Sequence, residues 1–585
     1  MNQVKGRLTR KEHGSLKVRL ILISTLFALF AVGLAGRLFY LQVAMNEELV
    51  LRSEKQYQRT VNTQVGRGSI FDRNMNELAT NIDVESVYAT PHEVLGKKQA
   101  ARTIASALNL NQKSVYEKLR LDRHFVWLKR KATPTEVARL RNSSLSGVNF
   151  ISENKRFYPK RELASGAIGF VGIDNQGLAG IEHQFQSTLK GNTVRTVMEK
   201  DARGRPIRFG ERVGDQVWGN RGVVLTLDEV IQFFTEHHLK NQVEKYQAKS
   251  GIAVVMNPNT GEIYALANIP QYNPNSYSIY QPQRWRNYAI SNAYEPGSIF
   301  KPIVAAAVID SGAALPDDMF FCENGKFGIK TRNGEATFGE ADNHKFGWLT
   351  LKNIIVQSSN IGSIKIAQQL GQRSFYDYIR KFGFGQKSGV ELPGETPGKL
   401  RELSSWGLRS LASISFGQEI SVTPLQITAA MGAIANGGVL MVPRIAHAVI
   451  SNGQVGDKFE PKTVRRVISA QTSRQMVDIL KSVVKDGTGK KAAVQGYEIA
   501  GKTGTAQKYD PKTGGYSKTA FVSSFVGFAP ADAAKVAILV MIDEPKGTHW
   551  GGSVAAPVFS SIARETLRYL NVLPSDQPVD TLEHT

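Results

Sequence analysis

The chain has 585 residues and only one cysteine, Cys322. A lone thiol excludes an internal disulfide framework and argues against a cysteine-based metal centre. Asp342 and His344 stand near it in sequence, but a buried thiol is the simpler reading of an isolated cysteine. Negative charge is also scarce. The 51 acidic residues face 73 basic ones, a net charge of +22. Such a balance suits nucleic acid, a membrane surface or an anionic substrate. No recognised nucleic-acid module is present, and there is no internal repeat. What remains is a globular composition, 42% hydrophobic and 21% charged, in a chain long enough for two to four domains.

An uncharged run, Leu20 to Gly36, lies near the N-terminus. As a helix it spans ~26 Å, a little short of the ~30 Å hydrocarbon layer. Arg19 and Arg37 can snorkel, and Phe39 and Tyr40 suit the far interface. A transmembrane helix is therefore expected over 20–42. Upstream stand Lys5, Arg7, Arg10, Lys11, Lys17 and Arg19 against Glu12. The positive-inside rule puts residues 1–19 in the cytoplasm and the rest outside. A cleaved leader ending near Gly33 and Ala35 is the alternative. It is weakened because no turn breaks the run, which continues as "RLFYLQVAMNEELVLRSEKQYQ". An extracytoplasmic location also disfavours nucleic acid and leaves anionic lipid or a pyrophosphate-bearing lipid substrate.

Residues 43–221 are polar and broken by Gly and Pro. Short strand-like runs ("SVYAT", "HFVWL") alternate with short helical ones ("PTEVARLRN"), and "GNTVRTVMEKDARGRPIRF" reads as strands around a turn. An extended α+β pedestal is expected there. From 222 to 573 the pattern changes. Asp228 or Thr226 can cap a helix with Val230, Ile231, Phe234 and Val243 on its apolar face. His237 and His238 are adjacent on it, point ~100° apart and cannot chelate one metal together. "GIAVVMNPNTGEIYALAN" reads as a hairpin. A mostly helical stretch follows to about 486, then strands return, then an amphipathic helix with Val558, Phe559, Ile562 and Leu567. Strands at both ends with helices between predict one antiparallel sheet built from both termini of the domain. The last residues, 574–585, are too polar to pack and read as a disordered tail.

"YEPGSIFKP", Tyr294 to Pro302, places Ser298 three residues before Lys301. Ser-x-x-Lys also occurs at Ser152, Ser187 and Ser482. Those copies have simpler readings: a polar loop for Ser152, and lysines near helix C-termini for the other two. Only at Ser298 does a proline define a helix start, because proline is tolerated only in a first turn. Ser298 is then expected near the N-cap and Pro302 at about the fourth helical position. Two motifs follow in order: "QSSN", with Ser358 and Asn360, and "GKTGT", with Lys502, Thr503, Gly504 and Thr505. A second Lys-Thr-Gly at Lys512 sits in a Pro- and Gly-rich turn, whereas Lys502 sits in a strand-like run. There Gly504 is expected to leave room for a substrate backbone.

Ser-x-x-Lys, Ser-x-Asn and Lys-Thr-Gly in that order resemble the penicillin-recognising serine enzymes. With "RGSIFDR" (Arg67 to Arg73), "GLAGIE" (Gly177 to Glu182), "FGQEISVTPLQ" and "AAPVF", nearly the whole chain resembles the class B penicillin-binding proteins, and among them the division-specific FtsI type. The resemblance implies an α+β multidomain protein: a single N-terminal transmembrane helix, a dimerisation-like pedestal, and a C-terminal penicillin-binding/β-lactamase-like transpeptidase domain with an antiparallel sheet flanked by helices. It implies a D,D-transpeptidase that cross-links stem peptides ending in D-Ala-D-Ala, without metal or organic cofactor, and that β-lactams acylate. Ser298 would be the nucleophile and Lys301 the base. Ser358 would be the proton relay, and Asn360 would hold the substrate amide and Lys301. Lys502, Thr503 and Thr505 would bind the terminal carboxylate. A neutral Lys301 requires a pKa ~3 units below a free lysine, through burial and a second cation, Lys502. A SEDS-family glycan polymerase (FtsW in division) and other divisome proteins are the implied partners. The small residues Ala28, Ala31, Gly33, Ala35 and Gly36 could form the helix contact. The elongation-specific relative and a D,D-carboxypeptidase are the alternatives. Two departures stand out. Ile299 replaces the usual threonine after the serine, which bears on pocket shape. Asn74-Met75 stands where a residue plus glycine is usual, which bears on a turn.

Overall fold

The structure, a computed structural model, describes residues 10–64, 66–190, 193–200, 206–212, 221–331, 334–451, 453–510 and 514–574. The expected tail over 574–585 lies outside these beyond its first residue, as do Lys512 and Thr513 of the second Lys-Thr-Gly. The chain divides into two compact units, 1–65 with 192–217, and 66–191 with 218–585.

In the first unit a helix runs Arg10–Phe39 and continues through a π-helical turn, Tyr40–Ala44. Among the described residues, Gly14–Ala44 is the one helix long and apolar enough to cross a membrane. Its apolar side chains, Phe27, Phe30 and Val32 among them, are exposed, while the backbone bonds are made within the helix, as lipid requires. Thr25 returns its hydroxyl to Ile21 O at 2.8 Å, so it needs no partner helix. The helix Asn46–Tyr57 follows. Gln58–Gln64, Thr193–Lys200 and Pro206–Arg212 form a three-stranded sheet in that order; the last two are the strands expected in "GNTVRTVMEKDARGRPIRF", and the turn expected between them lies outside the described residues.

The N-terminal part of the second unit is organised by the 13-residue strand Glu77–Ala89. It pairs antiparallel with Val148–Phe157 from Thr80 to Ala89. Ser152 therefore lies on a strand, not in the expected loop: ladder pairing along its length outweighs the weak strand preference of Ser, Glu, Asn and Lys. The helices Lys97–Leu108, Gln112–Arg120 and Pro134–Arg141 close a separate core around Val87, Ile104, Leu119 and Leu140. Pro134 opens its helix behind a capping box formed by Thr133 and Glu136.

"RGSIFDR" and "GLAGIE" meet here. Buried Glu182 accepts Arg67 Nε at 2.5 Å, Arg156 Nε at 2.6 Å and Tyr158 Oη at 3.2 Å. Ser69–Phe71 runs parallel to Gly222–Leu225 and antiparallel to Glu77–Ala89. Asp72 then accepts Asn74 N and Asn76 N, both at 2.8 Å, and Glu229 N at 3.1 Å. The turn closes with Met75 at φ +67°, the left-handed region that suits glycine. The side chain is 47% exposed, so its packing does not decide the turn. Met75→Gly is expected to raise stability by about 0.5–1 kcal/mol, the left-handed penalty less glycine's entropy. A urea midpoint that falls would contradict this.

In the C-terminal part of the second unit, five antiparallel strands lie in the order Ile263–Ile269, Ser250–Met256, Val536–Asp543, Gly515–Ala529, Ala500–Asp510. Strands from both ends of the domain thus share one sheet, as expected. Ala253 and Val255 pack with Ile231, Phe234, Phe559 and Ile562 on one face, while Val254 and Met256 join the core on the other. Both faces are covered there, so the central strands Ser250–Met256 and Val536–Asp543 read as nearly continuous apolar runs. Asp228 caps Glu229–Lys245 through Val230 N and Ile231 N. Val230 itself is exposed, off the apolar face expected for it. His237 is exposed, and His238 meets Glu565 at 2.8 Å. The stretch 290–486 is less helical than expected. Met319–Phe321, Lys326–Thr331, Gly334–Gly339, Trp348–Thr350 and others form short pairs, and Ala446–Ser451 joins Gly222–Leu225. Runs of three to six residues carry too little periodicity to be read locally.

Candidate active site

Gly297–Phe300 forms one tight helical turn that runs into the helix Lys301–Asp310. Gly297 has φ +57° and donates its N–H to Gly417 O at 3.1 Å. Pro302 is the second residue of the α-helix, not the fourth; its missing N–H still falls in the first turn. Ser298 is half-buried and lines a cavity of about 390 Å³. Lys301 is fully buried. Its Nζ donates to Ser358 O at 2.5 Å and to Asn360 Oδ1 at 2.8 Å, and lies 3.3 Å from Ser358 Oγ.

Ser358 and Asn360 reach this point because two helices meet there. Leu351–Gln357 ends, Ser358 takes φ +61°, and Ser359 caps Asn360–Leu370 through Gly362 N at 2.9 Å. A left-handed serine is strained, and it reverses the chain so that Ser358 lines the cavity.

Ala500–Asp510 is the edge strand facing the Ser298 turn. Thr503 and Thr505 line the cavity. Thr503 Oγ1 pairs with Thr488 Oγ1 at 2.7 Å, and Thr505 Oγ1 accepts Gly551 N at 3.0 Å. Lys502 is fully buried, with Nζ 3.1 Å from Thr503 O. A Cβ on Gly504 would stand 2.8 Å from Ile299 Cγ2. It would come closer still to Ser524 Oγ on the neighbouring strand, so packing against that strand and against the Ser298 turn requires glycine here. Ile299 is buried behind Gly504 and is not on the cavity wall.

Electrostatics separate the two lysines from ordinary surface amines. Burial pushes Lys301 down to about 7, and the Glu340 carboxylate partly offsets this. Burial, and then the Lys301 charge, push Lys502 well below the usual lysine value. Burial alone is therefore what lowers Lys301; the second cation expected to help does not act there, and it is Lys502 that the Lys301 charge depresses. Low dielectric disfavours two ammonium groups so close together.

Other walls of the cavity come from loops. Glu340, His344, Thr488 and Trp550 line it, and no motif marks them. Asp342 and His344 are on that wall and exposed, whereas Cys322 is buried. Among the described residues no group of His, Cys, Asp or Glu could hold a metal ion.

A helix-start serine, a buried lysine of lowered pKa, and a second serine and asparagine opposite an edge strand together define a serine acyltransferase site of the penicillin-recognising kind. Comparison with known proteins agrees. Residues 251–564 match the penicillin binding protein transpeptidase domain, and residues 62–221 the penicillin-binding protein dimerisation domain. The chain is 31% identical to the peptidoglycan D,D-transpeptidase FtsI of Escherichia coli K12 over 97% of this chain and 94% of that one. It is 35% identical to stage V sporulation protein D of Bacillus subtilis over 93% and 84%. Penicillin binding protein 3 of Mycobacterium tuberculosis, in its apo form, superposes with a TM-score of 0.67 at 30% identity, over 90% of this chain and all of that one. The chain belongs to the penicillin-binding protein transpeptidase family, as a class B member of the FtsI type: a penicillin-sensitive serine D,D-transpeptidase of peptidoglycan synthesis.

Proposed function

We propose that Ser298 attacks the penultimate carbonyl of a stem peptide ending in D-Ala-D-Ala, with Lys301 as general base. Ser298 Oγ passes its proton to Lys301 Nζ as the C–O bond forms. Backbone N–H groups of Ser298 and Thr505 hold the oxyanion. The proton returns through Ser358 to the departing D-Ala nitrogen, and the C–N bond breaks. An acceptor amine on a neighbouring stem then attacks the acyl-enzyme, its proton goes back through Lys301, and Ser298 is freed. Asn360 holds the donor amide and Lys301. Lys502, Thr503 and Thr505 bind the terminal carboxylate, with Gly504 allowing the strand to close on the Ser298 turn.

The observation that carries this reading is the fully buried Lys301 amine, 2.8 Å from Asn360 and 3.3 Å from Ser358 Oγ. A base acts when neutral. With its pKa lowered to about 7, the acylation rate rises with pH through about 7 and then levels off. It falls about tenfold per unit below that limb. Stopped acylation by fluorescent penicillin from pH 5 to 9 tests this; a rate flat across pH 7 refutes the base assignment.

The reading extends to the cell. The positively charged N-terminal residues support a cytoplasmic tail over 1–19, a span over 20–42, a pedestal over 43–221 and a transpeptidase domain over 222–573 outside the cytoplasmic membrane. The FtsI relatives support work at the septum, with a SEDS-family polymerase such as FtsW and other divisome proteins as partners. Depletion followed by microscopy tests the role: filaments support division, round cells support elongation.

A further inference from the structure

A carboxylate stands behind the Ser358–Asn360 turn that the scheme above does not use. Glu340, just after the strand Gly334–Gly339, is 8% exposed and borders the cavity. It accepts Ser359 Oγ at 2.5 Å, Asn360 N at 2.6 Å and Ile361 N at 3.3 Å. These donors are the cap and first residues of the helix Asn360–Leu370. The N–H groups there have no partner within the helix and favour an anion.

The neighbouring residue completes the clamp. Gly339 O accepts Asn360 Nδ2 at 3.0 Å. With its N–H₂ so engaged, the Asn360 amide turns Oδ1 to Lys301 Nζ. The Glu340 charge is therefore held one residue away from the buried amine. The other groups facing this region are Lys502 beyond Lys301, Cys322, the Lys365–Glu323 pair at 2.7 Å, and the exposed Asp342 and His344 on the following loop.

We propose that Glu340 is a positioning residue for acyl transfer: it locks the Ser358–Asn360 turn against Lys301 and holds a fixed negative charge behind the amine that receives the Ser298 proton. Burial alone weakens the amine as a base. A fixed anion in the same low-dielectric region restores part of that strength and stabilises the ammonium formed when Ser298 is deprotonated. The inference rests on the assignment of Lys301 as base.

The test compares acylation rate against pH for full-length protein in detergent, with fluorescent penicillin as probe. The variants are Glu340→Gln, Glu340→Asp, Ser359→Ala and Lys301→Ala. Glu340→Gln is expected to lower the plateau about tenfold, because its N–H₂ opposes a backbone donor. It is also expected to move the acid limb to lower pH, since the charge that raises the Lys301 pKa is gone. Glu340→Asp and Ser359→Ala keep the charge, so they should lower the plateau and leave the limb in place. A Glu340→Gln limb that coincides with wild type overturns the proposal, as does a limb moved equally by Ser359→Ala. Lys301→Ala separates the two readings. If it acylates at the wild-type rate, the base assignment falls and takes this proposal with it. If it is inactive while the Glu340→Gln limb stays put, Glu340 alone is excluded.

Discussion

Fluorescent penicillin is expected to label the wild-type protein and to leave Ser298→Ala unlabelled, with the acylation rate down roughly a thousandfold or more. Four serines have a lysine three residues on, so the outcome is not guaranteed by the motif. Their surroundings differ. Ser152 lies on the strand Val148–Phe157. Ser187 lies in a four-residue helix, and its lysine, Lys190, is exposed. Ser482 returns its hydroxyl to Asp478 O at 3.0 Å, and Lys485 is exposed. Of the four lysines only Lys301 is fully buried, and only a buried amine is depressed far enough to be neutral at physiological pH. Equal labelling of wild type and Ser298→Ala would move the nucleophile elsewhere and end the scheme.

The largest stability effect is expected at Glu182, which is not on the cavity wall. It is fully buried between Arg67 and Arg156, each 3% exposed. Its two oxygens meet the two guanidinium Nε atoms, and its backbone carbonyl accepts Arg67 Nη2 at 2.6 Å. Deleting the carboxylate leaves two buried cations facing each other. Breaking such a cluster costs about 3–5 kcal/mol, mostly as the penalty of uncompensated buried charge. Glu182→Ala should therefore lower the urea midpoint of detergent-solubilised protein by that equivalent. A change below about 1 kcal/mol would show that the guanidinium groups find water or other partners.

The sequence was most informative where chemistry needs particular residue types in a fixed local order. Ser298 and Lys301 are separated by one helical turn, and proline can stand only near a helix start. Thr503 and Thr505 are two apart, so a strand places them on one side. The apolar N-terminal run was legible for a similar reason: a membrane demands length and lack of charge, both local properties. Less legible were the segments where local preference is weak. Val148–Phe157 is polar, and only its partner Glu77–Ala89 makes it a strand. The short strands between 319 and 350 have no period to read.

By itself the sequence determined the order of motifs, the residue types at the reaction centre, and the helix and strand that carry Ser298 and Thr503. Tertiary structure alone decided which Ser-x-x-Lys is buried, that Ser358 bends into a left-handed turn, and that Glu340 lies behind Asn360. It also decided that Arg67 finds Glu182, 115 residues away. The physical reason is range. Helix starts, strand alternation and membrane spans depend on neighbours along the chain. Burial, desolvation and the field of a distant carboxylate depend on neighbours in space, and these set the pKa of Lys301.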